Sequence, residues 1–201
     1  LYDCVQYTRR DWRNRNKIYT KEGIKWLSIP VEVKGKYHQK INETLISDNK
    51  WGPKHWCTIE NSYGKSAYFK KYKDVFCDYY LNNLETNLSK INFDLIKIIN
   101  NILGINTKIS FSTDYEKLET NKTERLLSIC KNAGGDVYVS GPAAQSYFDL
   151  NVARNYNIAI EWANFSNYAE YTQLHKPFEN SVTILDMIFN LGPNARNYLK
   201  H

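Results

Sequence analysis

The chain has 201 residues, of which 42% are hydrophobic, 24% charged and 14% aromatic, a make-up that excludes a largely disordered protein. At ~100–200 residues per domain this length predicts a single domain over residues 1–201, able to bury roughly 70% of its unfolded surface without covalent staples. The formal net charge of +6 points to anionic partners such as nucleotide phosphates, a carrier protein or nucleic acid. No stretch approaches the ~20 apolar residues that span a bilayer, and no signal peptide opens the chain, so a cytoplasmic protein is expected. Cys4, Cys57, Cys77 and Cys130 form no CxxC pair, and His38, His55, His175 and His201 have no ligand spacing. Neither a metal site nor a disulfide framework is expected from them.

Along the chain, residues 1–7 alternate apolar and polar as a strand does. They begin mid-pattern, as though a first strand or helix upstream were missing. Trp26–Val33 is a second extended run, and Pro30 marks it as an edge or bulged strand. From Gly64 the period changes. Ser66 is placed to cap a helix whose aromatics run from Tyr68 to Tyr79. Leu84, Leu88, Ile91, Leu95, Ile98 and Ile102 form the stripe of a second helix, ended by Gly104. Residues 65–103 therefore read as a helical subregion, and its tyrosines offer aromatic area for a homodimer. Beyond it, 108–112 reads as a strand. Asn121 with Glu124 opens a helix, 136–140 is a buried strand and Pro142 starts another helix. The run 158–162 is the next strand, and Ser181 caps a last helix. This alternation predicts an α/β fold: a largely parallel sheet with flanking helices in a Rossmann-like three-layer architecture.

Three features carry candidate chemistry. Between Arg9 and Lys17 stand Arg9, Arg10, Arg13, Arg15 and Lys17, interleaved with Trp12, Asn14 and Asn16. Read as a loop directly after a strand, this motif sits where parallel sheets bind ligands. Guanidinium forks suit phosphate, the asparagines add neutral donors and Trp12 a stacking plane. A solvated basic loop is the plainer alternative. The turn Ser140-Gly141-Pro142 would present backbone N–H groups at a helix start, suited to a phosphate or carboxylate. GxGxxG and the P-loop pattern are both absent. Finally, Lys34–Asn42 holds His38 and Trp51–Trp56 holds His55, each beside lysines that would favour the neutral imidazole a general base needs. No nucleophile elbow accompanies them.

Taken together, Tyr7–Asn16, Lys34–Glu43, Lys122–Arg125, Ser140–Ala144 and Ser181–Asp186 resemble the WbqC-like protein family over the whole chain. Two departures stand out: the family's opening strand with its Gln-Pro-aromatic motif has no counterpart, and Cys4 stands where an acidic residue beside Asp3 is expected. The resemblance implies a bacterial protein of surface-polysaccharide or O-antigen biosynthesis, an acyl or aminoacyl (glycyl) transferase modifying a nucleotide-linked amino sugar. On that reading the arginines, with Asn14 and Lys34, would hold the phosphates. His55 or His38 would take the proton of the attacking amine. Backbone N–H groups at Ser140 and Gly141, with Lys122 or Arg125, would stabilise the oxyanion. No bound cofactor is expected beyond an acyl thioester donor, either CoA or an acyl carrier protein. A non-catalytic sugar-nucleotide binder is the first rival, and a nucleic-acid-binding module the weaker one.

Overall fold

A computed structural model describes residues 1–115 and 121–199. The chain divides into two compact units. The larger comprises Asp3–Lys108 and Tyr168–His201, and the smaller Leu1–Tyr2 and Ile109–Asn167. In the larger unit, strands β1 (Arg15–Thr20) and β2 (Gly23–Ser28) form an antiparallel hairpin, with Arg15 opposite Ser28 and Lys17 opposite Trp26. Three helices follow, α1 (Trp51–Tyr63), α2 (Phe69–Asn82) and α3 (Leu88–Leu103). The smaller unit holds α4 (Lys122–Asn132), β3 (Val137–Ser140), α5 (Leu150–Asn155) and β4 (Ala159–Trp162). The chain then returns to the larger unit, where α6 (Ile184–Leu191) completes the core.

Mixed α/β content is as expected, but the large parallel sheet is not formed among the described residues. Both sheets have two strands, and only β3 with β4 is parallel. The physical reason is local. Trp26–Ser28 finds its partner in β1 through a two-residue connection, Lys21-Glu22, which closes far more cheaply than a long crossover. Residues 1–7 make one antiparallel bridge, Gln6 with Lys40. Residues 108–111 lie outside regular structure and Ser112–Asp114 is a 3-10 turn. β2 stops two residues before Pro30, and the next stretch pairs only as a single bridge, Val31 with Ile46. Val137 and Val139 of β3 are exposed, so that strand is not the buried one its composition suggested.

Helix α1 is not among the elements predicted from the sequence, where Gly52-Pro53 interrupts the apolar pattern. Pro53 instead occupies the first turn of the helix, where its missing N–H has no partner to lose. The helix buries Trp51, His55, Ile59 and Tyr63 at four-residue spacing. Helix α2 starts at Phe69 with Tyr68 before it, and Ser66 caps nothing. Its aromatics Phe69, Phe76 and Tyr80 point into the core, while Tyr68, Tyr72 and Tyr79 are partly buried. Helix α3 matches its stripe from Leu88 to the left-handed Gly104, with Asn87 accepting the Lys90 amide at 3.2 Å; Leu84 lies outside it and is 90% exposed. Thr183, not Ser181, caps α6. The core centres on Phe189, whose ring lies 5.0–5.7 Å from those of Tyr63, Phe69 and Phe76. Each such pair contributes about 0.5–1.5 kcal/mol beyond its buried area.

The tightest backbone approach in this core is at Gly52, where an added Cβ would collide with the carbonyl oxygen of Tyr80. Gly52→Ala therefore forces α1 away from the end of α2. It is expected to destabilise the protein by roughly 1–3 kcal/mol, several degrees in Tm by thermal unfolding.

Candidate functional site

The basic motif of the larger unit precedes a strand rather than following one. Residues 8–11 turn, Asp11 caps a single 3-10 turn (Trp12–Asn14) by accepting the Arg13 amide at 3.3 Å, and Arg15 then opens β1. Its position therefore owes nothing to the carboxyl end of a parallel sheet. What places it is pairing with the second basic segment. The Tyr7 amide donates to the Gln39 carbonyl at 2.9 Å, the Ile41 amide to the Val5 carbonyl at 2.9 Å, and the Gln6 side chain to the Tyr37 carbonyl at 2.9 Å. Arg9, Arg10, Arg13, Asn14, Arg15, Lys34 and His38 thus belong to two adjoining loops and the hairpin that leaves them.

Within this surface the charges divide into tied and untied sets. Arg13 is ion-paired with Asp11, and its guanidinium lies 4.8 Å from the centroid of the exposed Trp12 ring. Among the described residues Arg9, Arg10, Arg15, Lys17 and Lys34 form no ion pair. The Arg15 guanidinium lies 4.3 Å from the Trp26 ring centroid. Arg10 has φ 62, a left-handed conformation that costs an L-residue about 1–2 kcal/mol. Asn14 is buried and its amide donates to the Ile29 carbonyl at 2.9 Å. The side-chain oxygens of Asn14 and Gln39 and the Arg15 Nε are buried without a hydrogen-bond partner among the described residues. Such atoms are a small minority in folded proteins and mark places where polar ligands or water satisfy them. Tyr7 lies at the centre. Burial and the Asp11 carboxylate raise its phenol above its ordinary range, while Arg15 and Arg9 pull the other way.

The two histidines part company. His55 is buried on α1, its ring 5.2 Å from that of Trp51, with Nε2 3.1 Å from the Ser28 carbonyl. An Nε2–H there ties α1 to the end of β2, which is a structural role. Its imidazole is held below the usual pKa by burial, not by neighbouring lysines. His38 is exposed beside the Tyr37 ring, 5.0 Å away, within the basic surface.

Lys122, Arg125, Ser140 and Gly141 stand in the smaller unit. Lys122 is exposed at the first turn of α4, and Arg125 donates to the Tyr2 hydroxyl at 3.5 Å. Gly141 precedes a 3-10 turn, Pro142–Ser146, with an ordinary φ of −68, and an added Cβ there would meet only the Phe165 ring at 3.8 Å. Neither backbone freedom nor close approach demands glycine at this turn. A pocket of about 300 Å³ in this unit is lined by Tyr2, Phe111, Tyr115, Cys130 and Tyr138, among others.

Sequence reasoning passed over two further groups. Trp26 was read only as part of a strand, because its register against Arg15 and Lys17 follows from the hairpin. Asp186 was quoted without a role. It is fully buried, and its Oδ1 accepts from Tyr171 at 2.8 Å, Gln173 at 3.0 Å and Asn190 at 3.2 Å. Burial raises its carboxyl, opposed by those hydrogen bonds. Among the described residues no group of three or more His, Cys, Asp or Glu side chains is arranged to hold a metal ion, and no helix is long and apolar enough to cross a membrane.

The fold and site define a mixed α/β protein whose larger unit presents a cationic, tryptophan-bearing surface. The family model of the WbqC-like protein family matches residues 1–198, and the chain belongs to that family. It is 45% identical over 201 residues to the uncharacterized protein Rv1507c of Mycobacterium tuberculosis, covering 100% of this chain and 87% of that protein. No solved structure matches it.

Because His55 is buried neutral, the unfolded chain binds its proton more tightly than the folded one. Stability is then complete well above the unfolded pKa near 6.5 and falls as pH drops through and below that value. His55→Gln removes this titration. Its urea-unfolding free energy is expected to be lower at pH 7.5 but flatter than the parent's between pH 7 and 5.

Proposed function

We propose that this protein is an acyl or aminoacyl transferase acting on a nucleotide-linked amino sugar, with the larger unit's basic surface holding the phosphates. The observation that carries the reading is the set Arg9, Arg10, Arg15, Lys17 and Lys34. These cations are gathered by loop pairing and are free of ion pairs among the described residues. Keeping like charges together without carboxylates costs energy, and an oxyanion offsets it through charge-assisted, forked hydrogen bonds. Arg13, held by Asp11 and Trp12, shapes the loop. His38 is the histidine placed to accept a proton from an attacking amine, since His55 is buried and engaged. The acyl donor is a thioester of CoA or of an acyl carrier protein, and the family resemblance supports surface polysaccharide as the destination.

Thermal-shift titration with nucleotide-linked amino sugars and CoA thioesters tests this reading. A ligand at 100 times its Kd stabilises by about 2.7 kcal/mol, a shift of several degrees. Arg9→Ala is expected to abolish most of that shift. Arg10→Gly gives a double signature: relief of the left-handed strain raises the unliganded Tm by a degree or more, while ligand stabilisation falls. Binding without turnover on any thioester would make the protein a sugar-nucleotide carrier. Absence of any shift would end the phosphate-holding reading.

A further inference from the structure

We propose that the outer face of the β1–β2 hairpin is the diphosphate subsite of this basic surface, in which Trp26 positions Arg15 and Lys17 as a paired clamp for the two charged groups of a diphosphate. The inference rests on the phosphate-holding reading and extends it beyond the loops. Arg15 and Lys17 are two residues apart on β1, so their side chains leave the same face of the strand about 6.8 Å apart along the backbone. Lys17 is directly opposite Trp26 in the register. The Arg15 guanidinium carbon lies 4.3 Å and the Lys17 ammonium 5.4 Å from the same indole centroid. The ring's negative face attracts both cations, and the indole remains 49% exposed.

Two like charges over one ring repel each other, and among the described residues neither forms an ion pair with a carboxylate. The nearby acids are committed elsewhere, Asp11 to Arg13 and Glu22 to Lys25. The Arg15 Nε is also buried without a hydrogen-bond partner among the described residues. The strand itself is anchored, because the Lys17 carbonyl accepts the Thr183 amide at 2.8 Å, tying it to the cap of α6. A fork-shaped donor and a point charge, both held in place and without an ion pair among the described residues, match an anion with two charged groups better than a single phosphate. A long polyanion fits less well. Glu22, Glu32 and Glu43 each stand beside a lysine in these segments, so the remaining cations form short patches rather than a continuous track.

The test is calorimetric titration of the full chain with inorganic pyrophosphate and with orthophosphate, repeated on Trp26→Leu, Trp26→Phe and Lys17→Gln. Trp26→Leu keeps an apolar side chain but loses the ring, and is expected to weaken pyrophosphate binding about tenfold with little change for orthophosphate. Trp26→Phe restores most of the affinity, which a merely structural role for the side chain would not predict. Lys17→Gln reproduces the loss without touching the ring. Unchanged pyrophosphate affinity in both Trp26→Leu and Lys17→Gln, alongside loss in Arg9→Ala, overturns the hairpin clamp and leaves the loop reading standing. No pyrophosphate binding by the parent chain overturns both. Binding of a single-stranded oligonucleotide in preference to pyrophosphate, steeply weakened by salt, replaces the diphosphate with a polyanion and also overturns the clamp.

Discussion

Pairing between residues 5–7 and 39–41 is the constraint on which the cationic surface depends. These segments form no regular sheet; one bridge and a few hydrogen bonds near 2.9 Å hold them together. Each such bond contributes only about 0.5–1.5 kcal/mol net, and like charges a few ångströms apart at a protein surface repel by a comparable amount or more. The balance is tipped by burial beneath the charges. Tyr7 and Ile41 are 6% and 4% exposed, and full burial of a large apolar side chain contributes about 1.5–3 kcal/mol. The basic loops are thus stapled from below, and among the described residues Arg9, Arg10 and Lys34 sit in them without an ion pair.

A second anchor of the larger unit lies in α6. The Asp186 carboxylate, fully buried, gathers Tyr171, Gln173 and Asn190. Burying a carboxyl is costly, and the three donors that converge on Oδ1 offset part of that cost. The same returning segment is sewn to the hairpin and to α1. Tyr19 donates to the Pro177 carbonyl at 2.6 Å, and the His175 Nε2 lies 3.1 Å from the Ser62 carbonyl. Through these contacts, and through Thr183 on Lys17, a segment distant in sequence fixes the strand that carries Arg15 and Lys17.

Much of the site's composition was legible along the chain. The density of arginine around Trp12, the basic Lys34–Asn42 stretch and the family resemblance all come from contiguous residues. Helices with uninterrupted stripes and clean ends, α3 with Asn87 and Gly104 and α4 with Asn121, were equally legible, because a helix closes its own hydrogen bonds within four residues. Strand partners were not. Alternation marks a residue run as extended without saying what it pairs with, so Trp26–Ser28 turned back on β1 where a crossover sheet was expected. The surroundings of His55 were not legible for a related reason. Flanking lysines are visible in the sequence, whereas the desolvation that governs His55 depends on Trp51 and Tyr80 closing around it.

The sequence by itself therefore determined the chemistry on offer: a basic, aromatic, family-typical set of side chains with no metal-ligand spacing, and helices defined by local periodicity. Only the tertiary structure decided which of those side chains meet. It put Trp26 against Arg15 and Lys17, engaged Arg13 with Asp11, withdrew His55 into the core and left His38 exposed in the segment that pairs with residues 5–7. The division follows from the range of the forces involved. Helical hydrogen bonds and caps act over a few residues, whereas burial, desolvation and cross-strand register depend on which distant segment covers a given surface.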